Sequence, residues 1–135
     1  MQKYAREFTM YMDSEGIKYT EQNENVIKVV YSGDNLDTIS IYAIFDEDGD
    51  HLVQMRCWEI VNFKNNEAAA FAVCNELNKQ FRWAKFYLDN DNDIVAMVDA
   101  ILDLDTCGEE CMELVRRMVS IIDDAYPQLA KARWA

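Results

Sequence analysis

Arg82-Trp83-Ala84-Lys85-Phe86-Tyr87-Leu88-Asp89-Asn90-Asp91-Asn92-Asp93-Ile94-Val95-Ala96 decides the fold, because its acidic centre reads either as a calcium loop or as the turn of a hairpin. Ala84, Phe86 and Leu88 are opposed in phase to Trp83, Lys85 and Tyr87, the alternation of a half-buried strand, and Ile94–Leu102 continues as a second apolar run. A calcium loop beginning at Asp89 has aspartates at positions one, three and five. It then has Ile94 at position six, where the sharp turn wants glycine, and Ala100 at position twelve, where a bidentate glutamate belongs. A loop counted from Asp46 fails in the same way, with His51 at six and Cys57 at twelve. The acidic run therefore reads as the turn between two antiparallel strands.

Upstream, Thr38–Phe45 alternates, with Ile39, Ile41, Ala43 and Phe45 on one face and Thr38, Ser40 and Tyr42 on the other. Asp46-Glu47-Asp48-Gly49-Asp50 supplies the Asp-Gly pair of a tight hairpin, and His51–Val61 returns as the partner strand. Val26–Tyr31, rich in β-branched residues and closed by Ser32-Gly33-Asp34-Asn35, is the strand before them. Thr20–Asn25 reads as a polar spacer.

Three helices complete the pattern. Gln2–Glu15 carries Tyr4, Phe8, Tyr11 and Met12 on one stripe and ends at Gly16. Glu67–Gln80 has Asn65 and Asn66 as candidate N-caps and Phe71, Cys74, Leu77 and Phe81 on its expected buried side. Thr106-Cys107-Gly108-Glu109 fits a capping box, followed by the stripe Met112, Val115, Met118, Val119 and Ile122 towards Pro127, with Ala130–Ala135 as a short continuation. The expected fold is α+β, in the order α-β-β-β-α-β-β-α, an antiparallel sheet packed with helices. With 135 residues and no linker or internal repeat, one domain over 1–135 is expected.

A formal net charge of −12 repels phosphate backbones and anionic lipid, so neither nucleic acid nor membrane is an expected partner. The first residues enter an amphipathic helix without an apolar signal core, and no later segment has the length of a membrane span, which places the chain in the cytoplasm. Cys57, Cys74, Cys107 and Cys111 are too few for a disulfide framework and read as reduced, small packing residues. Cys107 and Cys111 lie one helical turn apart, but two ligands make no structural zinc site. His51 follows an acidic turn with no nucleophile tied to it by a motif, so it reads as a solvated turn residue. No catalytic, cofactor or metal residue is assigned.

Strand phase places Tyr42, Arg56, Trp58, Trp83, Tyr87, Met97 and Ile101 on the sheet face opposite the clearly apolar one. That much apolar surface calls for cover by helices, by a second subunit or by a partner. Trp58, Trp83 and Tyr87 are the residues expected to form a partner surface.

The element order, Asn75-Glu76-Leu77-Asn78 leading into Phe81-Arg82-Trp83-Ala84-Lys85-Phe86-Tyr87-Leu88, the acidic turn and Ile94-Val95-Ala96 together resemble the YbjN family of bacterial sensory transduction regulators, over nearly the whole chain. That family is similar in fold to the class I type III secretion chaperones, small acidic homodimers that hold an extended client segment. The resemblance implies a non-enzymatic binding or regulatory domain, chaperone-like and homodimeric, whose partners are itself and a protein segment. It supplies no catalytic residues. Asn75 and Asn78 match an Asn-x-x-Asn pattern of the family and are expected to fix the helix-to-strand connection by hydrogen bonding. Related sequences often turn on Asp-Gly at the second hairpin, where this chain has Asn92, which also tolerates a left-handed backbone. The other reading of the residues is a small carboxylate-based enzyme or weakly ion-responsive module built around His51 and the two acidic turns.

Overall fold

The computed structural model describes residues 1–134. In chain order it contains α1 (Lys3–Glu15), β1 (Thr20–Asn23), β2 (Val26–Tyr31), β3 (Ile39–Phe45), β4 (Leu52–Cys57), α2 (Glu67–Gln80), β5 (Lys85–Leu88), β6 (Ile94–Ile101) and α3 (Cys107–Arg133). The six strands form one sheet in the order β1-β2-β3-β4-β6-β5, and every pairing is antiparallel. The order is α-β-β-β-β-α-β-β-α, one strand more than the sequence pattern predicts.

The added strand is β1, within the expected polar spacer. Its four residues are all exposed, so no burial alternation marks it, and pairing with β2 alone makes it a strand. The expected strand His51–Val61 is regular only over Leu52–Cys57. Glu59 takes a φ of 56° and breaks the pleat, after which the Ile60 amide bonds the Ile94 carbonyl and Asn62 bridges to Asp93, so the segment rejoins β6.

Ile27, Val29, Ile39, Ile41, Ala43, Phe45, Val53 and Met55 form the covered face of the sheet, buried together with Phe8 and Met12 of α1, Leu77 of α2 and Met112, Val115, Met118 and Ile122 of α3. All three helices pack on this side. Burial of the aliphatic and aromatic side chains there drives folding at about 25 cal/mol per Å² of apolar surface removed from water.

The helices differ from expectation in detail. On α2 the buried stripe is Ala70, Val73, Cys74 and Leu77, spaced three and four apart, whereas Phe71 lies one position round the helix and is 58% exposed. The capping box at Thr106 is not formed, because its hydroxyl donates to Glu110 Oε1 at 2.9 Å instead of capping a backbone amide. Glu110, not Glu109, is the partner, and the same oxygen accepts from the Asp103 amide. α3 does not stop at Pro127: buried Ala125 and Leu129 hold the turns on either side, and the helix runs to Arg133, with Ala135 of the expected continuation outside the described residues.

Gly16 closes α1 at a φ of 69° as expected, and Asn66 caps α2 by accepting from the Ala69 amide. The cap of α1 is Gln2, whose Oε1 accepts from Tyr4 and Ala5 while its Nε2 donates to the Asp46 and Asp50 carbonyls. One side chain thus ties the first helix to the β3–β4 turn.

Candidate partner-binding surface

The second face of the sheet carries the outward residues of each strand. One register row crosses five strands: Lys28 faces Tyr42, Tyr42 faces Arg56, Arg56 faces Met97, and Met97 faces Lys85. In the neighbouring row Val30 faces Ser40 and Val95 faces Tyr87, with Trp58 just beyond the end of β4. The Tyr42 and Trp58 rings lie 5.0 Å apart at 49°, and Lys28 Nζ stands 5.6 Å from the Tyr42 centroid. Arg56 donates to Asp99 at 2.9 Å with only 12% of its side chain exposed, so this pair is partly shielded from water.

Among the described residues no helix covers this face. Val30 is 51% exposed, Trp58 41% and Tyr87 40%, while Ile44, Leu52 and Met97 are half-buried. The apolar content is that of a buried sheet face, yet apart from Val95, which is fully buried, these side chains meet solvent.

Trp83 does not join them. It precedes β5 and takes a φ of 64°, so the strand phase used to place it with Tyr87 does not extend back to it. Its ring lies beside α3, 5.1 Å from the Arg117 guanidinium carbon, where two shallow clefts of about 260 and 270 Å³ are lined by Phe81, Ile101, Leu102 and Leu114. Arg117 is itself held by Glu113 at 2.8 Å. Trp58 and Tyr87 therefore share the bare face, and Trp83 forms a separate exposed patch at its margin.

The edges of the sheet are also unequal. Asn78, at the end of α2, accepts from the Phe86 amide at 2.8 Å and donates to the Phe86 carbonyl at 3.1 Å. Its carboxamide thus pairs both backbone groups that Phe86 turns away from β6, as a further strand would. Lys85 Nζ adds bonds to the Asn78 and Phe81 carbonyls at the C-terminal end of α2. The expected structural role of the Asn pair therefore falls on Asn78, whereas Asn75 is exposed. β1, at the opposite edge, has no such cover.

The acidic turns are occupied by their own backbone. Asp89 Oδ1 accepts from the Asp91 and Asp93 amides, both at 2.9 Å, and Asn92 supplies the left-handed residue with a φ of 65°. Asp93 Oδ1 accepts from Asn62 at 2.9 Å. In the first turn Gly49 takes a φ of 74°. His51 Nδ1 lies 2.7 Å from Asp50 with half of its side chain in water, and no nucleophile adjoins it.

All four cysteines are free and buried. Burial pushes the Cys57 and Cys74 thiols up to about 11. The Cys107 and Cys111 sulfurs are 4.0 Å apart, and hydrogen bonding to Cys107, with burial, holds Cys111 well above its usual value. Among the described residues no group of three or more His, Cys, Asp or Glu side chains is placed to hold a metal ion, and no helix is long and apolar enough to cross a membrane.

Solved structures share this fold, among them two that cover nine-tenths or more of the chain. The crystal structure of YbjN from E. coli, titled a putative transcription regulator, superposes with a TM-score of 0.65 at 11% identity, covering 93% of each chain. The Yersinia pestis type III secretion chaperone SycH, solved in complex with a stable fragment of YscM2, superposes with a TM-score of 0.53 at 13% identity, covering 90% of this chain and 96% of that one. At those identities the likeness is one of fold. No curated protein sequence matches the chain. Residues 7–131 match the YbjN family, described as "Putative bacterial sensory transduction regulator", and the chain belongs to that family.

Proposed function

We propose that the chain is a non-enzymatic regulatory or chaperone-like domain of the cytoplasm, which dimerises and holds a segment of another protein against its bare sheet face. The observation that carries this reading is the row of half-exposed apolar and aromatic side chains around Trp58 and Tyr87, which no helix of the chain covers. Such surface is costly to leave wet and marks sites of association. Trp83, with exposed Ile101 beside it, is a second contact at the margin. The SycH structure, a chaperone of this fold holding a protein fragment, supports a protein segment as the class of partner.

Self-association is assigned to the helix side. A groove of about 470 Å³ between α2 and α3 is lined by Ala69, Ala72, Val73 and Ala132, and the exposed Phe71 ring projects from the opposite flank of α2. An exposed ring of this kind can pack against its own copy about a two-fold axis. Pairing there leaves the sheet face free.

Two measurements test the reading. Light scattering should give twice the chain mass at micromolar concentration, falling to a monomer for Phe71→Glu; a monomer in the unaltered protein rejects the dimer. Proteins of the native host retained by the unaltered protein should be lost with Trp58→Ala and Tyr87→Ala together. Equal retention by that variant rejects the sheet face as the contact.

A further inference from the structure

We infer that the partner segment is captured by strand addition, an extended stretch of no net charge pairing its backbone with Val30 on an open length of β2; this rests on the protein-binding reading above. The Asn25 carbonyl accepts from the Phe45 amide at 2.8 Å, so Asn25, Ile27, Val29 and Tyr31 turn their backbone groups towards β3. Val26, Lys28 and Val30 then turn theirs towards β1. The chain coming from α1 on the covered side first reaches the sheet at Thr20, opposite Lys28, so β1 pairs only the first half of β2. Continuing that register would bring Lys18 opposite Val30, but among the described residues no backbone bond joins the two. Val30 therefore offers one N–H and one C=O to water, the same pair that Asn78 satisfies on Phe86 at the other edge.

The opening is roomy. A groove of about 990 Å³ lies between Lys18, Tyr19 and Glu21 on one side and Lys28 and Val30 on the other, and Val30 is 51% exposed. Asp13 and Glu21 balance Lys18 and Lys28 among the residues that line it, so the groove favours neither sign of charge. A residue paired with Val30 sets its side chain on the same face, beside Val30 at the rim of the bare face, which favours an apolar residue there. The outer edge of β1 offers less, being four residues long with a register shift between Glu21 and Asn23.

Other occupants fit less well. A second copy pairing Val30 with Val30 about a two-fold axis would bring its Ser32 opposite Lys28, where Thr20 already sits. Nucleic acid carries a charge at every nucleotide and finds no excess of cations in the groove. An extended peptide supplies a donor and an acceptor at the spacing of the Val30 backbone and needs no charge to do so.

The test uses the full chain, labelled for amide exchange, and blocked hexapeptides alternating valine with threonine. In the free chain the Val30 amide should exchange at least about tenfold faster than that of Val29, which is paired with Ile41. The peptide should slow Val30 exchange and shift the Lys28 and Tyr31 amides. Methylation of its valine nitrogens should abolish this and methylation of its threonine nitrogens should not, since valine takes the face of Val30 and its N–H then points at β2. Val30→Pro, which removes a donor bonded to no other group of the backbone, should keep the native amide spectrum and lose the response. A Val30 amide already protected in the dilute free chain overturns the open edge, and protection that rises with chain concentration alone hands it to a second copy. Equal responses to the two methylated peptides overturn backbone pairing. Shifts confined to Trp58 and Tyr87, with Val30 exchange unchanged, overturn strand addition while the protein-binding reading stands. No response to the unmodified peptide at any amide overturns Val30 as a peptide site, and the Trp58 and Tyr87 variants above still decide the partner surface.

Discussion

The covered and bare faces of the sheet are made by the same strands, yet one is closed by three helices and the other by none. On the covered face the strands contribute only part of the core, and α1, α2 and α3 close over it with the remainder. On the bare face the side chains are still large and apolar, with cations between them. The lesson is that strand alternation reports which residues share a face and says little about whether that face is wet. Here the two faces should respond to substitution very differently.

The contrast is tested first where it is deepest. Phe45→Ala on the covered face should cost roughly 3–5 kcal/mol in urea unfolding, since Phe45 is fully buried against Phe8. A loss below about 1 kcal/mol would dissolve the distinction. Gly108→Ala should follow, at roughly 1–3 kcal/mol, because a Cβ there runs into the Tyr11 side chain and forces α1 and α3 apart. Its thermal midpoint measures how closely the helices are seated on the covered face.

Asn78→Ala, at the boundary between the faces, should cost about 1–2 kcal/mol, water replacing part of what the Phe86 backbone loses. Faster amide exchange at Phe86 should accompany it. At the far rim, Asp123 accepts from the Asp34, Asn35 and Leu36 amides, and these bonds hold its carboxyl below the usual value. A depressed carboxylate stabilises the fold above its unfolded pKa, about 3.8, and that contribution is lost as pH falls through the folded value. The melting difference between the native chain and Asp123→Ala should therefore hold from neutral pH to about 5 and close in stronger acid. Smallest of all, Tyr87→Thr on the bare face should change unfolding by no more than about 0.5 kcal/mol. A loss above about 2 kcal/mol would make that face part of the fold and not a surface.

Much of this architecture is legible in the residues. Alternation in Thr38–Phe45, the Asp48-Gly49 pair, Asn66 and Gly16 each encode a local geometry that tertiary packing then keeps. The failures have specific causes. Thr20-Glu21-Gln22-Asn23 is an exposed edge strand, so no apolar period betrays it. Trp83 and Glu59 have positive φ, and a strand phase cannot be carried through either. Phe71 is an apolar residue on the wet side of α2, which composition alone assigns to the core. Gln2 leaves no signal because its cap depends on the distant β3–β4 turn. At the candidate surface, the shared face of Trp58 and Tyr87 is readable from phase, whereas the row joining Lys28, Tyr42, Arg56, Met97 and Lys85 needs the register across β2, β3, β4, β6 and β5.

The Asn78 carboxamide on Phe86 has a consequence for growth. Head-to-tail polymerisation through strand pairing requires two free edges on every molecule, one to receive and one to offer. At β5 a strand arriving from outside finds the backbone of Phe86 already paired, whereas β1 carries no such cap. Added strands are therefore steered to the β1 side, and β1-to-β1 pairing is the growth step that helix-side dimers leave open.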